Sequence, residues 1–480
     1  PLQRNGPLRS QSVLIDIRDA GIYESAMWIG TPLADVAGFA NLIQRGVGQL
    51  TTGAGSVTIS AGQSTVIQSG AKIDVSGGSI AYQAATVRTT RLITAGGNIV
   101  DIADARPDVI YKGIYDGTFD ASNYKSGVTE IYSASLTPGG ARVEQGYLQG
   151  SSGGAIGITT PAAALAGTLH GNTFTGIYQR STQPAGSSLS LDFTAIDRSL
   201  PSLPDFAPTP PAIVFQSQNP LSPADPFQTD ADGKPLPLRS DLLANVFLSP
   251  EIITAGGFGN FTLNNPDGSI TVPNGVTIRT PERGTVSMSA SNITVDGSII
   301  SPGGTLSFLA PNLTLSQVNT FAGTSVSVTP LANPDRGIFR LGQNGNIDTS
   351  GLLVDDRLTN PSSGSRPLTL DGGSVTIRAF QTILGTGGEI DVSGGARADS
   401  RARISYGNAG TISLSGGRDL AESSILGGFL QLGATLAGYS GTGGGSLSLT
   451  ASAFKIGGTN SDNQVTHLSP SFFSQGGFSS

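Results

Sequence analysis

The 480-residue chain contains no cysteine, so disulfide bonds and thiolate metal sites are excluded and stability must come from packing. Charged residues are also scarce, at 13% of the chain, which is about half the share usual in globular proteins. Hydrophobic residues nevertheless reach 37%, so disorder does not describe the whole chain. These values predict a large folded body with a low-charge surface.

Clustered positive charge and long apolar runs are missing as well. The formal net charge is −7, and without clustered Lys and Arg no nucleic acid is expected as a partner. No run of about 18 apolar residues occurs, so no transmembrane helix is predicted. The lack of Cys and the presence of only two Met suit export across a bacterial envelope, although a Gly, Ser and Thr bias alone gives the same counts. Because the chain opens at Pro1 with neither an initiator Met nor a signal-peptide core, we expect it to be a piece of a longer protein.

Glycine is abundant, at 67 residues, and much of it falls in repeats. The hexapeptide IDVSGG occurs at Ile73–Gly78 and again at Ile390–Gly395. Gly followed by Thr or Ser opens short alternating runs, which are GTVSMSA at Gly284, GTLSFLA at Gly304, GTSVSVT at Gly323, GTISLSG at Gly410 and GSLSLTA at Gly445. The first three are spaced by 20 and then 19 residues, and the last two lie about two periods apart from a similar run at Gly373. A further copy, GAIGITTPAAALAGTLHG, begins at Gly154 and aligns with the run at Gly284.

Each period divides into three short alternating strands closed by turn residues, and such strands cannot bury an apolar face alone. Stacking of successive coils buries a continuous core, so the sequence predicts an all-β fold, a right-handed parallel β-helix with coils of about 20 residues and extra-helical loop insertions. Inward-facing positions are Val286, Met288, Ile293, Val295 and Ile299, with Ile156, Ile158, Leu165 and Leu169 at the matching places in the earlier copy. Roughly 16 coils would give a rod of about 75 Å.

Segments that break the pattern set the expected domain organisation. We predict β-helix coils over residues 1–103 with a short helix near 32–47 packed on an end or side of the solenoid, and an extra-helical insertion at 104–149. Coils resume over 150–200, a Pro-rich surface excursion follows at 201–240, and coils return over 241–480 after a helical turn at Asp241–Leu248. The first insertion is rich in tyrosine, with Tyr111, Tyr115, Tyr124, Tyr132 and Tyr147.

Residues at the ends of strands are predicted to build the turns. They are Asp74, Gly77, Gly78, Asp391, Gly394, Gly395, Asn292 and Asn312. Gly supplies positive φ, Asp bonds its own backbone and Asn tolerates the left-handed region. Calcium binding by Asp74 and Asp391 is the alternative, although the calcium nonapeptide is not matched at Gly256, where Asn260 replaces the required Asp. The sequons at Asn260, Asn292 and Asn312 leave glycosylation as a second alternative.

Groups that perform catalysis are few. The two histidines, His170 and His467, lie far apart in the sequence, and the SxxK pattern at Ser122–Lys125 is expected by chance in a Ser-rich chain. A polysaccharide lyase or hydrolase would use clustered carboxylates, for which the candidates are Asp101 with Asp104, and Asp355 with Asp356 beside Arg357. Adjacent residues of a strand point to opposite faces, so the second pair could act together only in a turn. We predict no enzyme activity, no cofactor and no metal.

The GxVTIxA strands and IDVSGG turns resemble the filamentous haemagglutinin family, which comprises large exoproteins of Gram-negative bacteria that use two-partner secretion. The run GTPLADVAGFANLIQRGVGQLTT, followed by GSVTISAG, KIDVSGG and RPDVIYKGIYDGTF, is similar to a subgroup of very long members. The resemblance implies an extracellular or cell-surface fibre, an adhesin that contacts cells, matrix or biofilm neighbours. It also implies an outer-membrane barrel as secretion partner. The family's secretion domain is not identifiable in this chain.

The leading hypothesis is a non-enzymatic structural and adhesive segment of a secreted surface fibre, with specificity carried by the excursions at 104–149 and 200–240. The alternatives are the stalk of a contact-dependent toxin-delivery exoprotein, with the toxin beyond Ser480, and a carbohydrate-active β-helix enzyme. The sequence identifies no receptor, and it leaves self-association into a fibre as a further expectation.

Overall fold

The computed structural model of the chain is all-β, with 43% of residues in strands and 7% in helices. It describes residues 6–43, 50–51, 53–115, 117–123, 125–133, 141–193, 211–216, 228–234, 236, 238–314, 317–318, 331–362, 364–420, 424–459, 462 and 464–480. The chain divides into two compact units. The first comprises residues 1–51 and 80–148, and the second comprises residues 52–79 and 149–480.

The first unit is built from antiparallel pairs. Its strands are Ala20–Tyr23, Ala26–Thr31, Ala34–Asp35, Ala85–Arg88, Arg91–Thr94, Ile99–Asp101, Tyr111–Tyr115, Thr118–Asn123, Val128–Ser133 and Ala141–Glu144. The first two form a hairpin in which Ala20 faces Ile29, closed by Glu24 and Ser25 at φ of 46° and 73°. Two consecutive left-handed residues give the turn that matches the twist of a hairpin. The prediction of parallel coils over 1–103 is therefore wrong for the strands of this unit that lie within that range.

Two other expectations for the first unit are met in part. The helix predicted near 32–47 is present as Ala37–Ile43 and buries Ala40, while residues 44–49 lie outside the described residues. The insertion predicted at 104–149 contains the antiparallel hairpin of Thr118–Asn123 and Val128–Ser133, and Tyr124 lies outside the described residues. A 3₁₀ turn at Ile102–Asp104 and the buried Tyr111 help to form the small core of this unit.

The second unit contains a large parallel sheet. Nine of its strands pair in parallel, each with the next, with one register shift between Asn265 and Ser269. They are Ser56–Ser60, Ala155–Thr159, Ser188–Asp192, Asn260–Val272, Thr285–Val295, Thr305–Ala310, Ser374–Ala379, Thr411–Ser415 and Ser446–Thr450. The sheet also includes Ala212–Phe215, Asn245–Leu248, Ile338–Leu341, Gln381–Leu384 and Leu430–Leu432. At the usual spacing, nine strands extend the ladder over about 40 Å.

A second parallel sheet has five strands: Thr277–Arg279, Ser298–Ile300, Asn346–Asp348, Glu389–Asp391 and Thr435–Ala437. Short parallel pairs join Thr65–Ile67 to Ala163–Leu165, Lys72–Asp74 to Thr168–His170, and Phe454–Ile456 to Thr466–Leu468. Leu353–Asp355 pairs in parallel with Ala396–Ala398, which pairs antiparallel with Ile404–Tyr406. Strands Ser79–Tyr82 and Tyr147–Gly150 pair with each other. The remaining helical turns are Ser240–Ala244, Glu251–Thr254, Ile177–Gln179 and Pro470–Ser474.

Side chains alternate along these strands as the sequence predicts. Val286, Met288, Ile293, Val295 and Ile299 are fully buried, and the four matching residues of the earlier copy are at most 5% exposed. They belong to one hydrophobic cluster that runs through the unit from Ile67 to Leu436. Each side chain of this size contributes about 1.5–3 kcal/mol when buried, so the stacked strands are held mainly by this core.

The prediction of a regular period is wrong in three places. The run at Gly323 lies outside the described residues, and Thr305–Ala310 is followed in the ladder by Ser374–Ala379. The runs at Gly410 and Gly445 form directly neighbouring strands, so each is one step from the previous strand and not two. Inserted loops increase the number of residues between one strand of the ladder and the next. The described residues therefore supply nine strands to this ladder, where roughly 16 coils were predicted.

The Pro-rich segment at 201–240 is only partly described, but one piece of it is not a surface excursion. Ala212–Phe215 pairs in parallel with Asn245–Leu248, and Ile213 and Phe215 are buried in the core. The helical turn predicted at Asp241–Leu248 is observed over Ser240–Ala244, after which the chain becomes a strand.

Candidate functional site

Four loops of the second unit each follow a short strand and lead to the next strand of the large sheet. We call them together the loop row, and they are residues 171–187, 351–372, 393–409 and 438–445. The preceding strands end at His170, Asp348, Asp391 and Ala437. Because the strands that follow the four loops all belong to the parallel ladder of the large sheet, all four loops lie along the same edge of that sheet.

Direct hydrogen bonds join neighbouring loops of the row. Leu368 N–H donates to the carbonyl oxygen of Arg180 at 2.9 Å, and Ala409 N–H donates to that of Gly443 at 3.1 Å. The hydroxyl of Ser440 donates to Gly407 O at 2.7 Å. The loops at 351–372 and 393–409 also share the parallel strand pair that begins at Leu353. The loop row is therefore one connected surface and not a set of separate tips.

A buried carboxylate holds three parts of the loop row together. Asp356 is 5% exposed, and Arg180 donates to its two oxygens at 2.9 and 3.0 Å. Arg397 Nε donates to the same carboxylate at 2.7 Å, and Gly364 N–H donates at 3.0 Å. Burial alone would raise the pKa of Asp356, but the hydrogen bonds from Arg180, Gly364 and Arg397 outweigh it and lower the pKa to about 2.

Asp355, which the sequence analysis pairs with Asp356, does not point toward the same groups. Asp355 pairs with the exposed Arg357 at 2.7 Å, and this hydrogen bond from Arg357 lowers the pKa of Asp355. Asp356 instead faces Arg180 and Arg397, so the two carboxylates do not converge on one substrate position. In the other predicted pair, Asp101 accepts hydrogen bonds from Thr89 Oγ1 and Ala103 N–H, which places it at the start of a 3₁₀ turn. Asp101, Asp355 and Asp356 are thus each bound to neighbouring groups of the fold.

An open cleft of about 320 Å³ adjoins the loop row. It lies between the loop at 171–187 and the turn at 281–284, and its polar lining includes Asn172, Thr173, Gln183 and Glu282. Arg283 also lines it, but its guanidinium donates to the carbonyl oxygens of Ser181 and Leu368. Glu282 is the one carboxylate among the lining residues, so the cleft lacks the pair of carboxyl groups that glycoside hydrolysis uses.

Asp74 and Asp391, the aspartates of the two IDVSGG copies, bond the backbone two residues ahead. Asp74 Oδ1 accepts from Ser76 N–H at 3.0 Å, and Asp391 Oδ1 accepts from Ser393 N–H at 2.7 Å. Hydrogen bonding by Ser76 lowers the pKa of Asp74. Asp348 makes the same bond to Ser350 at 2.8 Å and lies beside Asp391 in the sheet. We did not predict Asp348, although the degenerate copy IDTSG at Ile347 marks it.

The glycines of these turns have a different role from the predicted one. Gly77, Gly394 and Gly395 do not have a left-handed φ. A Cβ on Gly77 would collide with the carbonyl oxygen of Ser151, and one on Gly394 would collide with that of Gly407. Gly78 accepts a hydrogen bond from Ser151 N–H at 2.8 Å. Gly77 and Gly394 are thus required by the close approach of a neighbouring backbone.

The predicted left-handed conformation is likewise wrong for Asn292 and Asn312. Asn292 lies within a strand, where Nδ2 donates to Asp335 O and Oδ1 accepts from Ile338 N–H. Asn312 is 2% exposed and donates to the carbonyl oxygens of Asn333 and Arg336 at 2.7 and 2.8 Å. The amide that a glycan would modify is therefore committed to the fold at both positions.

The remaining candidate residues are dispersed. His170 lies opposite Asp74 in a parallel strand pair, and the His467 ring contacts Gly458 O at 2.9 Å. The Ser122 hydroxyl lies 3.0 Å from that of Thr129 across the hairpin. Within the described residues, no three His, Asp or Glu side chains come together in a way that could hold a metal ion.

Comparison of the chain with protein-family models, with curated proteins and with solved structures found no match. No helix in the part of the chain that the structure describes is long and apolar enough to cross a membrane.

Proposed function

We propose that the second unit is a right-handed parallel β-helix interrupted by loops. The order of the strands supports this proposal, because the chain passes from Asn260–Val272 through Thr277–Arg279 and then to Thr285–Val295. Thr285–Val295 pairs with Asn260–Val272, and the next short strand, Ser298–Ile300, pairs with Thr277–Arg279. The step of about 20 residues predicted for a coil matches the step from Thr285 to Thr305, and loops lengthen the others.

On this scaffold, we propose a non-enzymatic structural and adhesive segment of a secreted bacterial surface fibre. Its place would be extracellular or on the outer surface of a Gram-negative bacterium, with an outer-membrane barrel as export partner. The observation that carries the non-enzymatic part is the arrangement around Asp356. Asp356, Arg180 and Arg397 hold three loops together, and none of these three residues lines the adjacent cleft. The adhesive part is supported by the resemblance in strand and turn motifs.

Attachment can be measured with beads coated with the purified chain. We expect coated beads to bind epithelial cells, bacterial cells or immobilised matrix proteins more than beads coated with serum albumin. If chain-coated and albumin-coated beads are retained equally on each of the three surfaces, the adhesive role is contradicted. Incubation with acidic and neutral polysaccharides, with and without calcium, tests the non-enzymatic role, because new reducing or unsaturated ends would contradict it.

A further inference from the structure

The loop row concentrates the exposed apolar side chains of the second unit. Among the described residues of this unit, 14 large apolar side chains are exposed, and 8 of them lie in the loop row, although the loop row supplies only about a fifth of those described residues. These 8 are Phe174, Ile177, Tyr178, Leu353, Leu358, Ile404, Tyr406 and Tyr439. Apolar side chains collected on one exposed surface mark an interaction site, whereas scattered ones do not.

The charged residues of the loop row are those of a protein interface. The four loops contain six Arg and no Lys. Arg180 and Arg397 bind Asp356, and the other four are Arg357, Arg366, Arg401 and Arg403. Protein interfaces are enriched in Arg and aromatic residues and depleted in Lys, and Tyr and Arg dominate their binding energy. The exposed Leu353 and Leu358 favour a protein partner over a glycan, because branched aliphatic side chains offer no hydrogen bonds to sugar hydroxyls.

The charge of the loop row favours a second copy of the chain as the partner. The loop row contains four Asp against its six Arg, so it is basic, while the whole chain has a formal net charge of −7. The rest of the chain is therefore more acidic than the whole. Outside its own loop row, a second copy of the chain carries a net negative charge, which is complementary in sign to the loop row.

We propose that the loop row binds a second copy of this chain, on the negatively charged part that lies outside that copy's own loop row. The contact joins two different surfaces, so each bound copy leaves its own loop row free and the assembly grows head to tail. This inference goes beyond the proposed attachment role, because self-association needs no cell or receptor. Its failure would leave the attachment measurement unaffected.

The test is sedimentation velocity of the purified chain over a wide range of concentration, at low and at high salt. We expect species larger than the monomer to increase with concentration and to decrease with salt, since exposed charges are screened. The variant carrying Leu358→Ser, Arg401→Glu and Ile404→Ser should weaken association by about tenfold or more, because it removes apolar area and reverses one charge at the contact. All three side chains are exposed, so thermal melting followed by circular dichroism should remain unchanged.

A matched control carries Leu331→Ser and Arg340→Glu, which alter exposed residues outside the loop row. This control should associate like the unaltered chain. A chain that stays monomeric at every concentration would overturn the proposal. Association that is as strong in the loop-row variant as in the control would also overturn it, because the contact would then lie on another surface.

Discussion

Arg180 and Asp356 lie 176 residues apart in the sequence, and they face each other in the structure through two hydrogen bonds of 2.9 and 3.0 Å. Their loops belong to levels of the stack that are separated by shorter turns, including the one at Arg283. Arg283 donates to the carbonyl oxygens of Ser181 and Leu368, one in each of the two loops. The long loops thus cover the short turns and meet above them, which makes the loop row continuous.

Asp356→Asn should destabilise the loop row. The substitution leaves Arg180, whose side chain is 13% exposed, without its anionic partner, and removing one member of a buried pair costs about 3–5 kcal/mol. We expect faster hydrogen exchange at the amide of Leu368, which donates to Arg180 O. Amide exchange followed by mass spectrometry measures this change.

The matched control for that substitution is Asp355→Asn. Asp355 pairs with Arg357, whose side chain is 53% exposed, and exposed pairs contribute about 1 kcal/mol or less. Exchange at Leu368 should stay unchanged in this variant. Equal exchange in the two variants would contradict the role assigned to Asp356.

Acid should weaken the same contact. The pKa of Asp356 is about 2 in the folded chain, below the ordinary 3.8. A pKa that is lower in the folded state means that the carboxylate stabilises the fold fully above about pH 4 and loses this contribution as pH falls toward 2. The melting temperatures of the unaltered chain and Asp356→Asn should therefore differ at pH 6 and converge near pH 2. A difference that stays constant with pH would show that the charge is not what stabilises the contact.

Ala in place of Gly77 or Gly394 should disrupt the turns. The new Cβ would meet a backbone oxygen that cannot move without the neighbouring segment, so we expect a loss of about 2 kcal/mol or more. Gly157→Ala is the control, because this strand glycine has open space around its Cβ position. It should be neutral or stabilising by about 0.5 kcal/mol. Urea denaturation of the three variants checks the order, and similar losses in all three would contradict it.

Asn312→Asp should be costly as well. The change removes both Nδ2 donors from buried carbonyls and adds a charge close to Asp419, whose carboxylate accepts from Asn312 N–H. We expect a loss of about 2 kcal/mol or more in urea denaturation, because buried carbonyls are left unpaired. In Asn260→Asp, one bond to Gly186 O is lost at a partly buried site, and the loss should be about 1 kcal/mol or less. A larger loss in Asn260→Asp would contradict the assignment.

The sequence predicts the elements that depend on local alternation. Val286 and Met288 are buried because a strand places every second side chain on one face, and Asp391 closes a turn through its own neighbours. The hairpin at Glu24 and Ser25 was missed, because neither residue type marks a left-handed turn as Asn-Gly would.

The contacts within the loop row could not be predicted from the sequence either. The pairing of Arg180 with Asp356 depends on which loops are long and which are short between them, and no spacing in the sequence encodes it. The spacing of the runs at Gly373, Gly410 and Gly445 is misleading in another way. About two periods separate each run from the next, but their strands are direct neighbours in the ladder. Repeat spacing predicts the strand type and does not fix the order in which strands stack.

The central claim is that strands distant in sequence stack in parallel and in register, and a cysteine pair tests it directly because the chain has no Cys of its own. Ser307 lies opposite Thr376, and Thr376 lies opposite Ser413. In Ser307→Cys with Thr376→Cys, the two Cα atoms should be about 4.8 Å apart. The shortest bis-methanethiosulfonate linker should therefore join them in the folded chain. In Ser307→Cys with Ser413→Cys, about twice that distance separates the residues, so the linker should fail. Linkage of the second pair and not the first would contradict the account.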